Sequence, residues 1–123
     1  MFGDFNPSGR LPVTFVRSDD DLPPFEDYSM KGRTYRYLET PPLYPFGYGL
    51  SYTTFAYSNL RISPAKALPG QPVTVSFDVQ NTGAVTGDEV PQLYVHDLVA
   101  SMVRPLKELK DFTRITLAPG ERK

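Results

Sequence analysis

A chain of 123 residues suffices for one ordinary domain, or for one small domain and part of another. Its 13 basic and 14 acidic side chains leave a net charge of −1, which offers no grip on a polyanion such as nucleic acid, and no run approaches the ~18 apolar residues of a membrane-spanning helix. The lack of cysteine excludes disulfides, metal thiolates and a cysteine nucleophile. A hydrophobic share of 40% permits a core, and 13 prolines, about twice the usual share, favour strands and rigid connectors over helices.

The first stretch, residues 1–18, has no basic and apolar leader at its start, and its compartment is left open. The turn "NPSG" precedes "RLPVTFV", where Leu11, Val13 and Phe15 alternate at the strand period. Pro12 denies that strand one amide donor, and a single strand cannot bury an apolar face alone. Residues 19–54 are irregular, with five prolines, the acidic run Asp19 to Asp21 and one strand-like piece, "RTYRYL". Such a long connection is expected to drape over another surface.

From Phe55 onward the pattern is all-β. "FAYSNLRI" changes parity near Ser58 and Asn59, which predicts a bulge. "PVTVSFDVQN" is the cleanest strand, with Val73, Val75, Phe77 and Val79 expected on one buried face. A turn over "NTGAVTGDE" leads to a strand in "VPQLYVHD", then to one in "KELKDFTRITL" with a parity slip between Phe112 and Ile115. The chain finishes on a Pro-Gly turn, a signal for a strand to follow. Four or five strands fall short of a seven-stranded sandwich of about 100 residues, so both ends read as cuts.

Chemical motifs are few. "GLSYT" lacks the second glycine of a nucleophile elbow, and "GYGLSY" lacks the last glycine of a phosphate loop. Asp19 to Asp21 lack the alternate spacing of a calcium loop, and His96 has no second metal ligand, so a solvated turn and a strand-edge histidine are expected. "KGRTYRY" interleaves cations with rings, which reads as a local cation–π and arginine–carboxylate cluster. No paired carboxylates sit in the apolar surroundings that would raise a general acid. What remains is "YPFGYGLSYTTF", five rings around Gly47 and Gly49, either glue between two pieces of structure or a platform for sugars.

"FGDFNPSGRLPVTF", "KGRTYRY", "LYPFGYGLSYTTF", "NTGAVTGDEVPQLYV" and "RPLKELKDFTRITLAPGE" together resemble the C-terminal region of glycoside hydrolase family 3, the β-glucosidases and β-xylosidases. The resemblance covers essentially the whole chain. It implies a mainly β fold: an incomplete fibronectin type III-like (immunoglobulin-like) β-sandwich, C-terminally truncated, over 44–123. Residues 1–43 before it would be the tail strand and connector of an α/β sandwich domain. It also implies a parent that hydrolyses O-glycosyl bonds with retention, in the periplasm, outside the cell or in the cytoplasm. The parent's nucleophile and acid/base precede anything present here. No catalytic, cofactor-binding or metal-ligating residue is assigned, no cofactor is implied, and neither nucleic acid nor membrane is an expected partner. The expected partners are the parent's catalytic domains. Arg33, Tyr35, Tyr44, Phe46, Tyr48 and Tyr52 are the candidates for interdomain contact, with an oligo- or polysaccharide on the Tyr/Phe cluster as the alternative. The loop from Asp19 to Tyr37 is long and charged enough to reach the rim of a sugar pocket.

Overall fold

The computed structural model describes residues 3–98 and 104–123. The fold is mainly β. Among the described residues six strands carry it, β1 (Phe55–Ser63), β2 (Thr74–Asn81), β3 (Gly87–Glu89), β4 (Gln92–Val95), β5 (Glu108–Phe112) and β6 (Ile115–Leu117), with a 3-10 turn (Asp19–Asp21) and one helical turn, α1 (Thr34–Tyr37). They pair as three antiparallel ladders, β1–β2, β3–β6 and β4–β5. Two compact units result, each drawn from separated pieces of sequence. One takes Met1–Pro7, Ser51–Glu89 and Ile115–Lys123; the other takes Ser8–Leu50 and Val90–Arg114.

In the first unit β2 keeps its period of two, but burial is graded along it. Val73 precedes the strand and is exposed, Val75 and Phe77 are half-buried, and only Val79 is enclosed. The expected face of four buried side chains is therefore corrected to one that deepens toward its C-terminal end. The last inward position belongs to Asn81, which is wholly buried with Leu117. β1 pairs with β2 from Phe55↔Asn81 to Ser63↔Thr74, and the predicted bulge is there: register slips between Ser58 and Arg61, with Asn59 at φ 55°. Asn59 tolerates that left-handed backbone, and its amide donates to Asp78 Oδ2 at 2.7 Å. The other edge of β2 pairs with the residues after β6. Val79 and Lys123 exchange amide bonds of 2.8 and 2.9 Å, and Asn81 donates to Glu121 O at 3.0 Å.

Asn81 uses all four of its side-chain bonding sites. Its Oδ1 accepts from Thr53 Oγ1 at 2.7 Å and from the Gly83 amide at 3.0 Å, and its Nδ2 donates to Val85 O and Leu117 O, both at 2.9 Å. One amide thus ties the entry to β1, the turn after β2 and the end of β6. That is the pattern a buried polar group needs if it is to specify a core rather than weaken it.

Three further expectations are corrected. The Leu11 to Phe15 strand is an extended segment with a single bridge, Phe15↔Tyr44, flanked by Leu11 N–H to Tyr48 O at 2.8 Å and Gly47 N–H to Leu11 O at 2.8 Å. "RTYRYL" is not a strand: Leu38 N–H closes onto Thr34 O at 3.0 Å and makes α1. "KELKDFTRITL" is two strands, because β5 pairs with β4 whereas β6 pairs with β3. The parity slip marks that change of partner; together with β3, which falls inside the predicted turn "NTGAVTGDE", it brings the strands among the described residues to six against the four or five expected. The acidic run forms the 3-10 turn, closed by a capping box in which Ser18 Oγ accepts from Asp20 N–H.

Candidate functional site

Four of the predicted site residues converge in the second unit. Gly47, at φ 80°, turns the chain so that Phe46 and Tyr48 leave the backbone in different directions. Phe46 stacks on Tyr35 with centroids 4.2 Å apart and planes at 14°, and Tyr94 of β4 meets Tyr35 edge-on at 6.1 Å. On the other side Tyr44 packs against Tyr48 at 5.3 Å and edge-on against Phe15 at 6.5 Å. Gln92 Nε2 donates to Gly47 O at 3.0 Å, and the Tyr94 hydroxyl donates to Gln92 Oε1, so β4 grips the glycine turn by polar bonds as well as by rings.

α1 is fastened to the β4–β5 ladder. The Leu109 amide donates to the Tyr35 hydroxyl at 3.2 Å, Leu106 N–H donates to Arg36 O at 2.6 Å, and the Arg36 guanidinium lies 3.6 Å from Glu108. Arg36 also sits 5.9 Å from the Tyr35 ring centroid, so the expected cation–π and arginine–carboxylate cluster is present. Burial works to raise the Tyr35 phenol, but bonds from Arg36 and the Leu109 amide outweigh it and hold the hydroxyl below its ordinary value. The Tyr94 phenol is raised by burial.

Glu108 is held below the ordinary carboxylate range, chiefly by Lys110 at 2.7 Å and further by the charge of Arg36. A depressed folded value means its contribution is complete above the unfolded pKa and is lost as pH falls from there through the folded value. Glu108→Gln is therefore expected to lower the melting temperature slightly at neutral pH, where the contribution is complete, and to flatten the acid limb so that the two curves converge at low pH. Identical acid limbs for both proteins would remove Glu108 from this role.

The remaining predicted residues lie apart from the rings. Arg33 donates through Nη2 to Pro24 O at 2.9 Å and to Asp27 O at 2.7 Å, clamping the connector onto itself. Tyr52 belongs to the first unit; its amide donates to Asn6 Oδ1 at 2.8 Å and its side chain is largely exposed. A groove of about 480 Å³ opens beside the stack, lined mainly by apolar side chains including Val13, Val16, Leu22, Leu38 and Phe46. Thr14 Oγ1 is buried at its edge without a hydrogen-bonding partner. Sequence reading missed Gln92 and Tyr94 as partners of the rings. Their only signal was alternation within a strand, which says nothing about what a strand packs against.

Comparison with known proteins places these pieces. Residues 1–52 match the glycosyl hydrolase family 3 C-terminal domain, and residues 89–123 match the fibronectin type III-like domain. The chain is 47% identical over 135 residues to a periplasmic β-glucosidase of Salmonella typhimurium, covering all of this chain and 18% of that protein. It is 47% identical over 121 residues to a xylan 1,4-β-xylosidase of Xylanibacter ruminicola, covering 98% of this chain and 14% of that one. β-Glucosidase 3B of Thermotoga neapolitana, solved in complex with glucose, superposes with a TM-score of 0.81 at 37% identity over 98% of this chain and 19% of its own. The chain thus spans less than a fifth of the length of these relatives.

Proposed function

Because the chain carries the C-terminal region of glycoside hydrolase family 3, we propose that it is a non-catalytic packing module of a β-glucosidase or β-xylosidase. Hydrolysis belongs to domains outside these residues, and Arg33, Tyr35, Tyr44, Phe46, Tyr48 and Tyr52 serve its ordering against them. The observation that carries this reading is how the rings are used. Tyr35 and Phe46 each spend one ring face on the other, which is how rings are used in packing. In the same unit Val13, Phe15, Leu43 and Tyr44 remain about half exposed, an apolar surface of the kind a protein partner covers. We place the parental boundary at 43/44, where proline-rich connector gives way to ring cluster and strands. The compact units interleave across that point and the match to the family 3 C-terminal domain runs on to residue 52, so the boundary marks a change of sequence texture rather than a limit of packing.

The purified chain is expected to release no nitrophenol from nitrophenyl β-glucoside or β-xyloside. It is also expected to raise the melting temperature of a relative's catalytic body that lacks the corresponding region. Turnover that survives purification overturns the reading. Saturable binding of cellobiose or xylobiose that disappears in Tyr44→Ala or Tyr48→Ala would favour the Tyr/Phe cluster as a sugar platform instead.

A further inference from the structure

We propose that two copies of the 123-residue chain pair edge to edge through residues 73–77, where β2 begins, antiparallel about a two-fold axis at Val75. One edge of β2 is taken along its length by β1, from Asn81 to Thr74. The other is taken only at its C-terminal end, where Val79 exchanges amide bonds with Lys123 and Asn81 donates to Glu121. Residues two apart in a strand present their amides and carbonyls to the same edge. Val75 and Phe77, with Val73 before them, therefore face the side that Lys123 leaves uncovered. Among the described residues no strand, bridge or backbone bond reaches them there. Residues 73–77 also carry none of the devices that blunt an exposed edge: no proline, no bulge and no charge. The outer edge of β1, by contrast, is broken by the bulge between Ser58 and Arg61.

The limits of the open stretch select the occupant. Lys123 bounds it at one end, and at the other the chain turns away, with Gln71 N–H closed onto Leu68 O at 3.0 Å and Gly70 at φ 81°. A partner must be extended along residues 73–77 and must leave the sheet on reaching Lys123. A second copy of the same residues meets both conditions. With Val75 opposite Val75 and Val73 opposite Phe77, its 68–71 turn falls beside Lys123, so the chain bends away instead of colliding. Odd residues oppose odd ones in this register, so the bonding edges meet. The apolar rows of the two copies, Val73 half exposed and Val75 and Phe77 half-buried, then join on one face. Thr74 lies opposite Ser76 on the exposed face, neutral against neutral. Asp78, the nearest carboxylate in sequence, is already held within its own chain by Arg122 at 3.6 Å and Asn59 at 2.7 Å, so no unpaired charge opposes the approach. Pairing turns a two-stranded ribbon, marginal alone, into a four-stranded sheet closed by its two-fold symmetry.

The test is sedimentation velocity of the purified chain over about 5 to 500 µM, since a short edge belongs with the weaker interfaces and its dimer is concentration-dependent. A shift from monomer to dimer is expected, with the amides of Val75 and Phe77 exchanging more slowly as concentration rises. Thr74→Glu/Ser76→Glu sets like charges opposite each other across the two-fold. It should weaken association at least about tenfold while circular dichroism stays that of the folded chain. Mixing it with Thr74→Lys/Ser76→Lys should restore a heterodimer. The sequence has no cysteine, so Val75→Cys should close an intermolecular disulfide on oxidation, whereas Val73→Cys, displaced from its symmetry mate, should not. A monomer at every concentration overturns the proposal, as do undiminished association of the glutamate variant, cross-linking at position 73 but not 75, and growth into polymers larger than a dimer. Slower exchange at Val75 and Phe77 only on adding a relative's catalytic body would give this edge to the parent and overturn it too. The pairing makes no use of the packing reading, whose turnover and melting tests stand or fall independently of these results.

Discussion

Asn81→Leu is expected to lower the stability of the first unit by about 4 kcal/mol. The leucine fills a similar volume but strands four partners, the Thr53 hydroxyl, the Gly83 amide and the carbonyls of Val85 and Leu117. Each buried group left without a partner costs roughly 1–3 kcal/mol, and relaxation toward water recovers part of that sum. A loss of about 4 kcal/mol is a large fraction of the roughly 5–15 kcal/mol that holds a typical domain. Urea unfolding followed by far-ultraviolet circular dichroism should show a lower midpoint with an unchanged slope. A loss under about 1 kcal/mol, small for a buried network, would mean that the four partners rebond elsewhere.

Gly47→Ala is expected to cost about 2–3 kcal/mol in the second unit, for two separable reasons. The backbone sits at φ 80°, where a Cβ costs roughly 1–2 kcal/mol. The added methyl would overlap Gln92 Oε1 and lie 2.7 Å from the Tyr94 hydroxyl, so the bond from Gln92 to Gly47 O must break, at about 1 kcal/mol more. Gly70→Ala is the control, because Gly70 has φ 81° with open space around it and should show only the backbone part. Equal losses at both positions would mean that β4 does not grip the turn. A larger loss at Gly47 with reduced Tyr35 protection in hydrogen exchange would show the ring stack loosening along with it.

Much of this architecture was readable from residue order, and the unreadable parts share a cause. Strand β2 and the bulge at Asn59 followed from local alternation, because one face of each strand meets a different environment from the other. The switch between β5 and β6 left its mark as a parity slip, yet periodicity cannot name a strand's neighbour, so two strands with different partners looked like one. α1 is four residues long, too short for any helical period to register, and the alternating rings and arginines around it imitate a strand. Asn81 looked like a turn residue, since its neighbours Thr82 and Gly83 belong to a turn; only the four groups that surround it reveal its burial. At the candidate site the ring cluster was legible from composition. That Tyr35 and Phe46 face each other, while Phe25 and Tyr28 are exposed and meet no other ring among the described residues, was not.

The ladder between β2 and residues 120–123 bears on how this polypeptide emerges from the ribosome. Val79 and Asn81 take their partners from Lys123 and Glu121, and β3 takes its partner from β6. At about 5–20 residues per second, some seconds of translation separate the making of β2 from the making of the segment that covers its second edge. Throughout that interval a nascent strand with an apolar face stands open, and the buried amide at its end has no Leu117 carbonyl to bind. Chaperone capture in that window, rather than the equilibrium stability of the finished protein, would then set the yield of soluble material, and slowing translation after Asn81 should depress it.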